Sequence, residues 1–517
     1  MPSLWKHAAV PVAGTPFEPG RGHDVIVVGA GITGLATAYE LQRTGFDVAV
    51  VEAGEVAELA TGGNTGKVSL LQGTALSRLR RHHPAALVRA YVEANTDGAE
   101  WVARRAEELG VPYVRRPAYT YAQRPDAVGA VQAEHDAARE AGLATWLASP
   151  TELAGFGFPA AAAVVLDNAL AIDPVRFASA LARSFLAAGG RLHLRTPVRR
   201  VGVLPRAWVE TDAGPLFAHR LVLATATPIT DRGLYFAKVE ALRSACVSFR
   251  LEGPVSEGMF LSADAPTRSL RPVADGDGPV DVAQLVVGGA GHRVGRAGSE
   301  RALFDELVDW ARRTLPVGEE THRWSAQDYA PHGLIPFVGA MPRSLGRIRF
   351  ATGYAKWGLS NGPAAALRIV SELRGVPRRE RPSWITVIGT RVTIPADLSR
   401  GTEANLAVAR AAVGGWADAE RRPVPVSRPP EGSGVVARRG LRPVGISTTD
   451  GVTRGVEAVC SHLGGVLEWN DLECTWDCPL HGSRFGPDGV RREGPARRDL
   501  RPMGRVGIAG EPRTPSR

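Results

Sequence analysis

A strand–helix–strand pattern near the start of the chain and a change to short strands near its end predict an α/β protein with a small all-β module at the back. The β-branched run His23–Val28 leads into Gly29-Ala-Gly31-Ile-Thr-Gly34, then into an apolar helical pattern through Leu35, Ala38 and Leu41 that stops at Gly45. A second strand, Val48–Val51, ends at the acidic Glu52 and completes one βαβ nucleotide-binding half. From about Val435 onward, short strands alternate with Gly-rich turns, the pattern of a compact all-β unit.

Between these ends the elements follow in order. Met1–Gly22 reads as a loose tail. Helical periodicity dominates from about Ala75 to Ala148, with a hairpin at Val114–Ala122. Leu221–Ala224 is a buried-strand pattern, Ala245–Leu251 and Val282–Val287 are mixed strands, and Ser299–Thr314 is an amphipathic helix. A strand at Ile348–Ala351 leads through Thr352-Gly-Tyr-Ala-Lys-Trp-Gly-Leu-Ser-Asn-Gly-Pro363 to a helix over Ala364–Leu373. The Pro/Arg-rich stretches Pro377–Pro382 and Pro423–Gly434 bracket a linker helix near Asn405–Val413.

At 517 residues the chain holds roughly three domains. Its 44% hydrophobic and 22% charged residues are those of a folded globular protein rather than a disordered or fibrous one. The net charge of +9 is spread in Arg-rich pairs, and with only 6% aromatics it lacks the interleaving that nucleic-acid binding needs. A solvated basic surface follows, suited to an anionic substrate or an acidic protein partner. No apolar run is long enough to span a membrane, no export signal is legible, and four cysteines do not make a disulfide framework. The expected location is the cytoplasm.

The glycine motif has its full context of preceding strand, following helix and acidic strand end. Gly29 permits the turn, Gly31 lets backbone approach a pyrophosphate, and Gly34 allows close helix packing, with Ile32 and Thr33 at the helix N-terminus. Glu52, followed by Ala53, is placed to accept ribose hydroxyls. The motif alone does not separate NAD from FAD. The segment Ala60-Thr-Gly-Gly-Asn-Thr-Gly-Lys-Val-Ser-Leu-Leu-Gln-Gly73, the strand Leu221–Thr225 and Gly353–Pro363 do, because together they resemble the D-amino acid oxidase superfamily of glycine, sarcosine and γ-glutamylputrescine oxidases.

That resemblance covers most of residues 23–376 and implies a discontinuous FAD-binding domain (23–97, 158–236 and 325–376) with an inserted α+β substrate domain (98–157 and 237–324). It implies FAD contacts from Thr61, Gly62, Asn64, Thr65, Val198, Ala224, Thr225, Gly353, Trp357, Gly358 and Leu359. Members with covalent flavin use a histidine or cysteine near the ring; Gly63 and Asn64 stand here, so noncovalent FAD is expected. The pocket candidates for catalysis and substrate binding are Lys67, Arg268, Arg271, Tyr354, Lys356 and Trp357, with His332 nearby or merely packed in a turn.

Near the end, Cys460-x-His462 and Cys478-x-x-His481 give one Cys and one His per loop. Zinc sites usually pair cysteines within a loop, whereas a Rieske 2Fe-2S centre takes both cysteines on one iron and both histidines on the other. Gly464-Gly465 and Cys478-Pro479 fit two closing loops, and residues 435–510 resemble a Rieske domain, with 377–434 as linker and 1–22 as tail. Related high-potential domains carry a disulfide at positions that here are Gly465 and Leu480, while Ser483 is retained. Cys246 and Cys474 read as ordinary buried thiols.

As a whole, the chain is similar to bacterial FAD-dependent oxidoreductases with a C-terminal Rieske domain, in segments such as Gly233–Lys238, Ala263–Arg271 and Tyr354–Gly362. The resemblance implies oxidation of an amine or amino acid C–N bond, with electrons leaving singly through the cluster to a partner protein or oxygen. The alternative is an NAD(P)H-dependent reductase feeding the cluster through flavin. It needs a second nucleotide site, for which Leu285–Gly295 has the wrong glycine spacing and no acidic strand end.

Overall fold

A computed structural model describes residues 2–7, 9–273, 283–388, 395–421, 428–439 and 442–503. Val282, part of the stretch 423–434 and the end of the expected all-β module, 504–510, lie outside the described residues. The chain divides into two compact units. The first comprises Met1–Val239, Arg243–Gly291 and Phe304–Leu398; the second comprises Glu240–Leu242, His292–Leu303 and Ser399–Arg517.

In the first unit, the β-branched strand Gly22–Val28 is central to an eight-stranded sheet. It pairs in parallel with Val48–Val51 on one side and Gly214–Leu223 on the other. Arg191–His193 and Ile348–Thr352 extend the parallel set, and Phe337–Ala340 closes it antiparallel. Alternate side chains leave on opposite faces. Val25 and Val27 join a core with the helices Ile32–Gln42, Ala85–Glu108, Pro174–Ala187 and Gly358–Leu373, while Ile26 and Val28 pack under the strands Val198–Gly202 and Ala207–Thr211. Both faces are covered, which is why these strands read as unbroken apolar runs.

A nine-stranded mixed sheet forms the rest of this unit. Tyr113–Ala122 belongs to it as one long strand, antiparallel to Ala162–Ile172 and parallel to Met259–Ser262, rather than as the expected hairpin. The strand takes in Pro117 at a register shift between Arg116 and Ala118. The glycine-bearing strand Gln284–Arg293 lies in this sheet beside Ser269–Val273, so it is a sheet strand and not a second nucleotide loop.

Two further expectations are corrected. The N-terminal tail is not loose: Leu4–His7 is a helical turn whose Trp5 is 1% exposed. Ser3 Oγ donates to the Gly62 carbonyl (2.5 Å) and Trp5 Nε1 to the Asn64 carbonyl (2.7 Å). The helix expected from Ala364 begins at Gly358 and contains Pro363. Packing overrides the missing proline donor, because glycines let three helices close on this turn. A Cβ on Gly98 would lie 2.1 Å from the Ser360 carbonyl, and one on Gly362 2.8 Å from Thr33 Oγ1.

The second unit is built from two antiparallel four-stranded sheets around Val456, Leu467, Trp476 and Phe485. The first sheet holds Gly434–Arg439, Arg442–Thr449, Val452–Glu457 and Pro502–Met503; the second holds Glu468–Asn470, Thr475–Asp477, Arg484–Phe485 and Arg491–Glu493. The helix Pro395–Arg421 precedes them and is longer than the expected Asn405–Val413.

Candidate functional site

The dinucleotide loop is shaped by contacts that only glycine allows. A Cβ on Gly34 would stand 1.9 Å from the Gly29 carbonyl oxygen, and one on Gly29, whose φ is +108°, 2.5 Å from that of Ala224. Gly31 passes Thr61, whose Oγ1 accepts from Ile32 N–H (3.1 Å). Glu52 accepts from Ala30 N–H (2.6 Å) and Gly54 N–H (2.9 Å), so the loop and Ala53's neighbour orient its carboxylate. Burial pushes the Glu52 pKa up against those hydrogen bonds.

The other segments expected at FAD gather on this loop. Asn64 Nδ2 donates to the Thr61 carbonyl (2.6 Å) and its Oδ1 accepts from Gly66 N–H (2.6 Å), fixing Thr61–Thr65 beside Gly62. Val198 is buried under the sheet. Ala224 N–H bonds the Val28 carbonyl (2.9 Å), and Thr225 Oγ1 donates to the Thr227 carbonyl (2.7 Å). Tyr354 Oη lies 3.0 Å from Thr33 Oγ1, joining the late segment to the early one. Gly353 (φ +85°) packs on Pro331, Trp357 caps the helix that starts at Gly358, and Leu359 is buried.

Tyr354 is partly exposed and Lys356 exposed, although protein atoms crowd around both. Burial raises the Tyr354 pKa and lowers that of Lys356. Ala355 and Lys356 both take positive φ (48° and 77°), a costly conformation for residues with a Cβ. It is held by Ala355 N–H on the Tyr329 carbonyl (3.2 Å) and by Lys356 N–H on Asp328 Oδ2. Burial pushes Asp328 up to about 6.

Lys67 is buried, and its Nζ donates to Ser269 Oγ (2.5 Å) and the Phe260 carbonyl (3.0 Å). Desolvation, then the Arg271 charge, brings its pKa down to about 7. Cys246 faces both Lys67 and Lys356 electrostatically, and burial pushes its thiol up to about 12. Arg271 sits behind this group, with Nη1 on the carbonyls of Thr65 (2.7 Å) and Ile172 (3.2 Å) and its guanidinium 4.8 Å from the Trp5 ring. Lys67, Arg271, Tyr354 and Lys356 are thus linked through neighbours. Arg268 is engaged elsewhere, with Glu306 (2.5 Å) and over Trp310. His332 N–H bonds the Lys238 carbonyl in a turn.

A buried polar network behind the Gly358 helix was not legible in the sequence. Tyr91 Oη donates to Gln72 Oε1 (2.6 Å), and Gln72 Nε2 and Ser360 Oγ donate to Asn95 Oδ1 (3.2 and 2.6 Å). Asn95 Nδ2 donates to Asn361 Oδ1 (3.2 Å), and Asn361 Nδ2 to the Trp357 carbonyl (3.0 Å). The one available signal was amide side chains at mid-helix positions, where they are poor helix formers. Asp328 and Trp5 gave none.

In the second unit the two ligand loops are near copies. Cys460 O accepts from Gly464 N–H (3.0 Å) and Cys478 O from Gly482 N–H (3.1 Å), with φ of +73° and +74° at the two glycines. Backbone N–H groups of His462 and Leu463 point to the Cys460 sulfur, and those of Leu480 and His481 to the Cys478 sulfur. The two sulfurs hydrogen-bond each other, which pulls the Cys460 thiol down and pushes the Cys478 thiol up. The His462 and His481 rings are 5.2 Å apart. Paired sulfurs and paired imidazoles are the donor set of a two-iron, two-ligand-type cluster. Among the described residues, no three His, Cys, Asp or Glu groups converge as a single-ion site would require.

Ser483 Oγ contacts the Cys460 sulfur and accepts from Ala496 N–H (3.0 Å). A Cβ on Gly465 would meet Leu480 at 2.6 Å, so the two positions where related domains carry a disulfide are in contact here through an aliphatic side chain. Trp416 Nε1 donates to the Gly464 carbonyl (3.2 Å) on the first loop. Cys474 is half-buried, its thiol raised by burial.

Residues 24–372 match the family described as FAD dependent oxidoreductase, and residues 425–504 the Rieske [2Fe-2S] domain. A Bacillus subtilis (strain 168) protein named for a Rieske 2Fe-2S iron-sulfur centre, YhfW, is 29% identical over 92% of this chain and 92% of its own. Glycine oxidase from Geobacillus kaustophilus shares the fold at TM-score 0.59 and 18% identity, over 70% of this chain and 96% of its own. The L-amino acid deaminase from Proteus myxofaciens does so at TM-score 0.58 and 17% identity, over 74% and 96%. The chain belongs to the FAD dependent oxidoreductase family and carries a Rieske [2Fe-2S] domain near its C-terminus.

Proposed function

We propose that the protein oxidises a C–N bond of a small amino acid or amine and releases the electrons one at a time to a partner protein or to oxygen. When bound, FAD supplies a two-electron hydride acceptor and the 2Fe-2S cluster a one-electron carrier. Gly29, Gly31 and Gly34 would admit the pyrophosphate and Glu52 the ribose, while the N–H groups at Gly358 and Leu359 would face the flavin ring. Cys460, His462, Cys478 and His481 would hold the cluster. No histidine or cysteine stands at Gly63 or Asn64, which supports a noncovalent flavin, released intact on denaturation.

The observation that carries the reading is a group of basic side chains in which Arg271 acts on Lys67 and the Cys246 thiol faces both Lys67 and Lys356. Such a group suits a substrate carboxylate, which favours an amino acid over a simple amine. An ammonium group must lose its proton before its α-hydride can leave. Lys356, exposed and held below its ordinary pKa by desolvation, would take that proton. Trp357 would shape the cleft, and Arg268, tied to Glu306, would support its outer strand.

Anaerobic titration of the purified protein with a panel of amino acids and amines tests this. Bleaching of the flavin band followed by the cluster band is expected with at least one carboxylate-bearing member. Rapid flavin reduction by NADPH, with none by any amine or amino acid, would favour the reductase reading instead. Among the described residues no helix is long and apolar enough to cross a membrane.

A further inference from the structure

The second unit includes a segment from the middle of the chain, His292–Leu303, that reaches the second ligand loop. Arg296 donates from Nε (2.9 Å) and Nη2 (2.7 Å) to one acceptor, the carbonyl of Pro479, which lies between the ligands Cys478 and His481. A two-pronged grip of this kind fixes a carbonyl in direction as well as distance. The approach depends on Gly295. Its φ is +65°, and a Cβ there would stand 2.9 Å from Pro479 N and 3.1 Å from the Asp477 carbonyl.

The same segment is fastened a second time. Asp471 accepts from Ser299 Oγ (2.6 Å), Glu300 N–H (2.9 Å) and Arg301 N–H (3.1 Å), and Arg301 Nη2 returns a bond to the Asp471 carbonyl (2.8 Å). Arg296 therefore has little freedom to swing away. Arg296 is half-buried, and Glu240, the carboxylate that acts on it, is already paired with Arg293 (2.5 Å). The Arg296 charge is left to act on the ligand loop.

We propose that Arg296 is a positioning residue that sets the reduction potential of the cluster, by locking the Cys478–His481 loop and by placing a permanent positive charge against it. A centre held by these four residues would gain one negative charge on reduction, so a fixed cation beside it would favour the reduced state and raise the potential. The grip also supplies, on the second loop, a constraint that a disulfide supplies in related domains.

The inference rests on Cys460, His462, Cys478 and His481 holding a 2Fe-2S cluster, and iron analysis with the EPR spectrum of the reduced wild-type chain checks that separately. The test is an EPR-monitored redox titration of full-length wild type, Arg296→Lys and Arg296→Met, with Arg454→Met, at a cation bonded to Thr449 in the same unit, as a control. The expected order of potentials is wild type above Lys above Met, with Arg454→Met at the wild-type value and the iron content equal in all. If the Met variant does not accumulate, the Lys variant decides alone, since a lysine cannot reproduce the paired hydrogen bonds to the Pro479 carbonyl and its potential must fall. Wild-type potentials in the Arg296 variants, with the cluster intact, overturn the proposal; no cluster in wild type overturns the reading beneath it.

Discussion

The dinucleotide loop of the first unit is made by what three glycines leave out, at positions 29, 31 and 34, whereas the ligand loops of the second are made by four side chains crowded into residues 460–481. The first site draws its walls from segments spread between Gly29 and Leu359 and depends on a sheet and three helices to assemble them. The second carries its donors on two adjacent turns, each with its own N–H groups aimed at a sulfur. A site dispersed along the chain fails through packing. A local one fails through loss of a donor.

The largest effect expected from this contrast is Cys478→Ser: iron falls from about two atoms per chain to near zero, while flavin content stays at the wild-type level. Loss of both cofactors together would show that the two sites are not built independently. Next, Gly34→Val is expected to cost about 3 kcal/mol or more and to empty the flavin site, read by absorbance at constant iron content.

A pH test sharpens the comparison further. With Lys67 near 7 in the folded state and 10.5 in the open chain, the unfolded form binds more protons above neutrality, so stability rises with pH in that window. Between pH 7 and 9 the wild type should gain about 2 kcal/mol relative to Lys67→Met, measured by denaturant unfolding of the first transition. A parallel pH dependence in the two proteins would count against a desolvated lysine there. Asn95→Ala should cost about 1–3 kcal/mol by opening the network under the Gly358 helix. The smallest change is expected from Trp416→Phe, about 1 kcal/mol, confined to the unfolding of the second unit.

The same contrast explains what the sequence could disclose. The paired Cys/His loops were readable because four ligand-type residues and their turn glycines lie within one short stretch. The βαβ start was readable because its period and its glycines coincide. Lys67 could be named from its segment, but its near-neutral state comes from Arg271 and from burial against strands far away in sequence. Asp328, which holds the Lys356 turn, and Trp5, under the Arg271 guanidinium, owe their roles to long-range packing that no local pattern encodes. The stretches Val114–Ala122 and Ala364–Leu373 misled for a related reason: a strand that runs on through a register shift, and a three-helix contact, overruled the local preference for a hairpin or a later helix start.

Leu480 lies against Gly465, where the resemblance to high-potential Rieske domains would put a disulfide, and none of the four cysteines is disulfide-bonded. A greasy plug has no redox chemistry of its own. Glutathione or dithiothreitol has nothing to cleave in the casing of this centre, so its closure survives in a thiol-rich milieu that would unpick a cystine-braced counterpart.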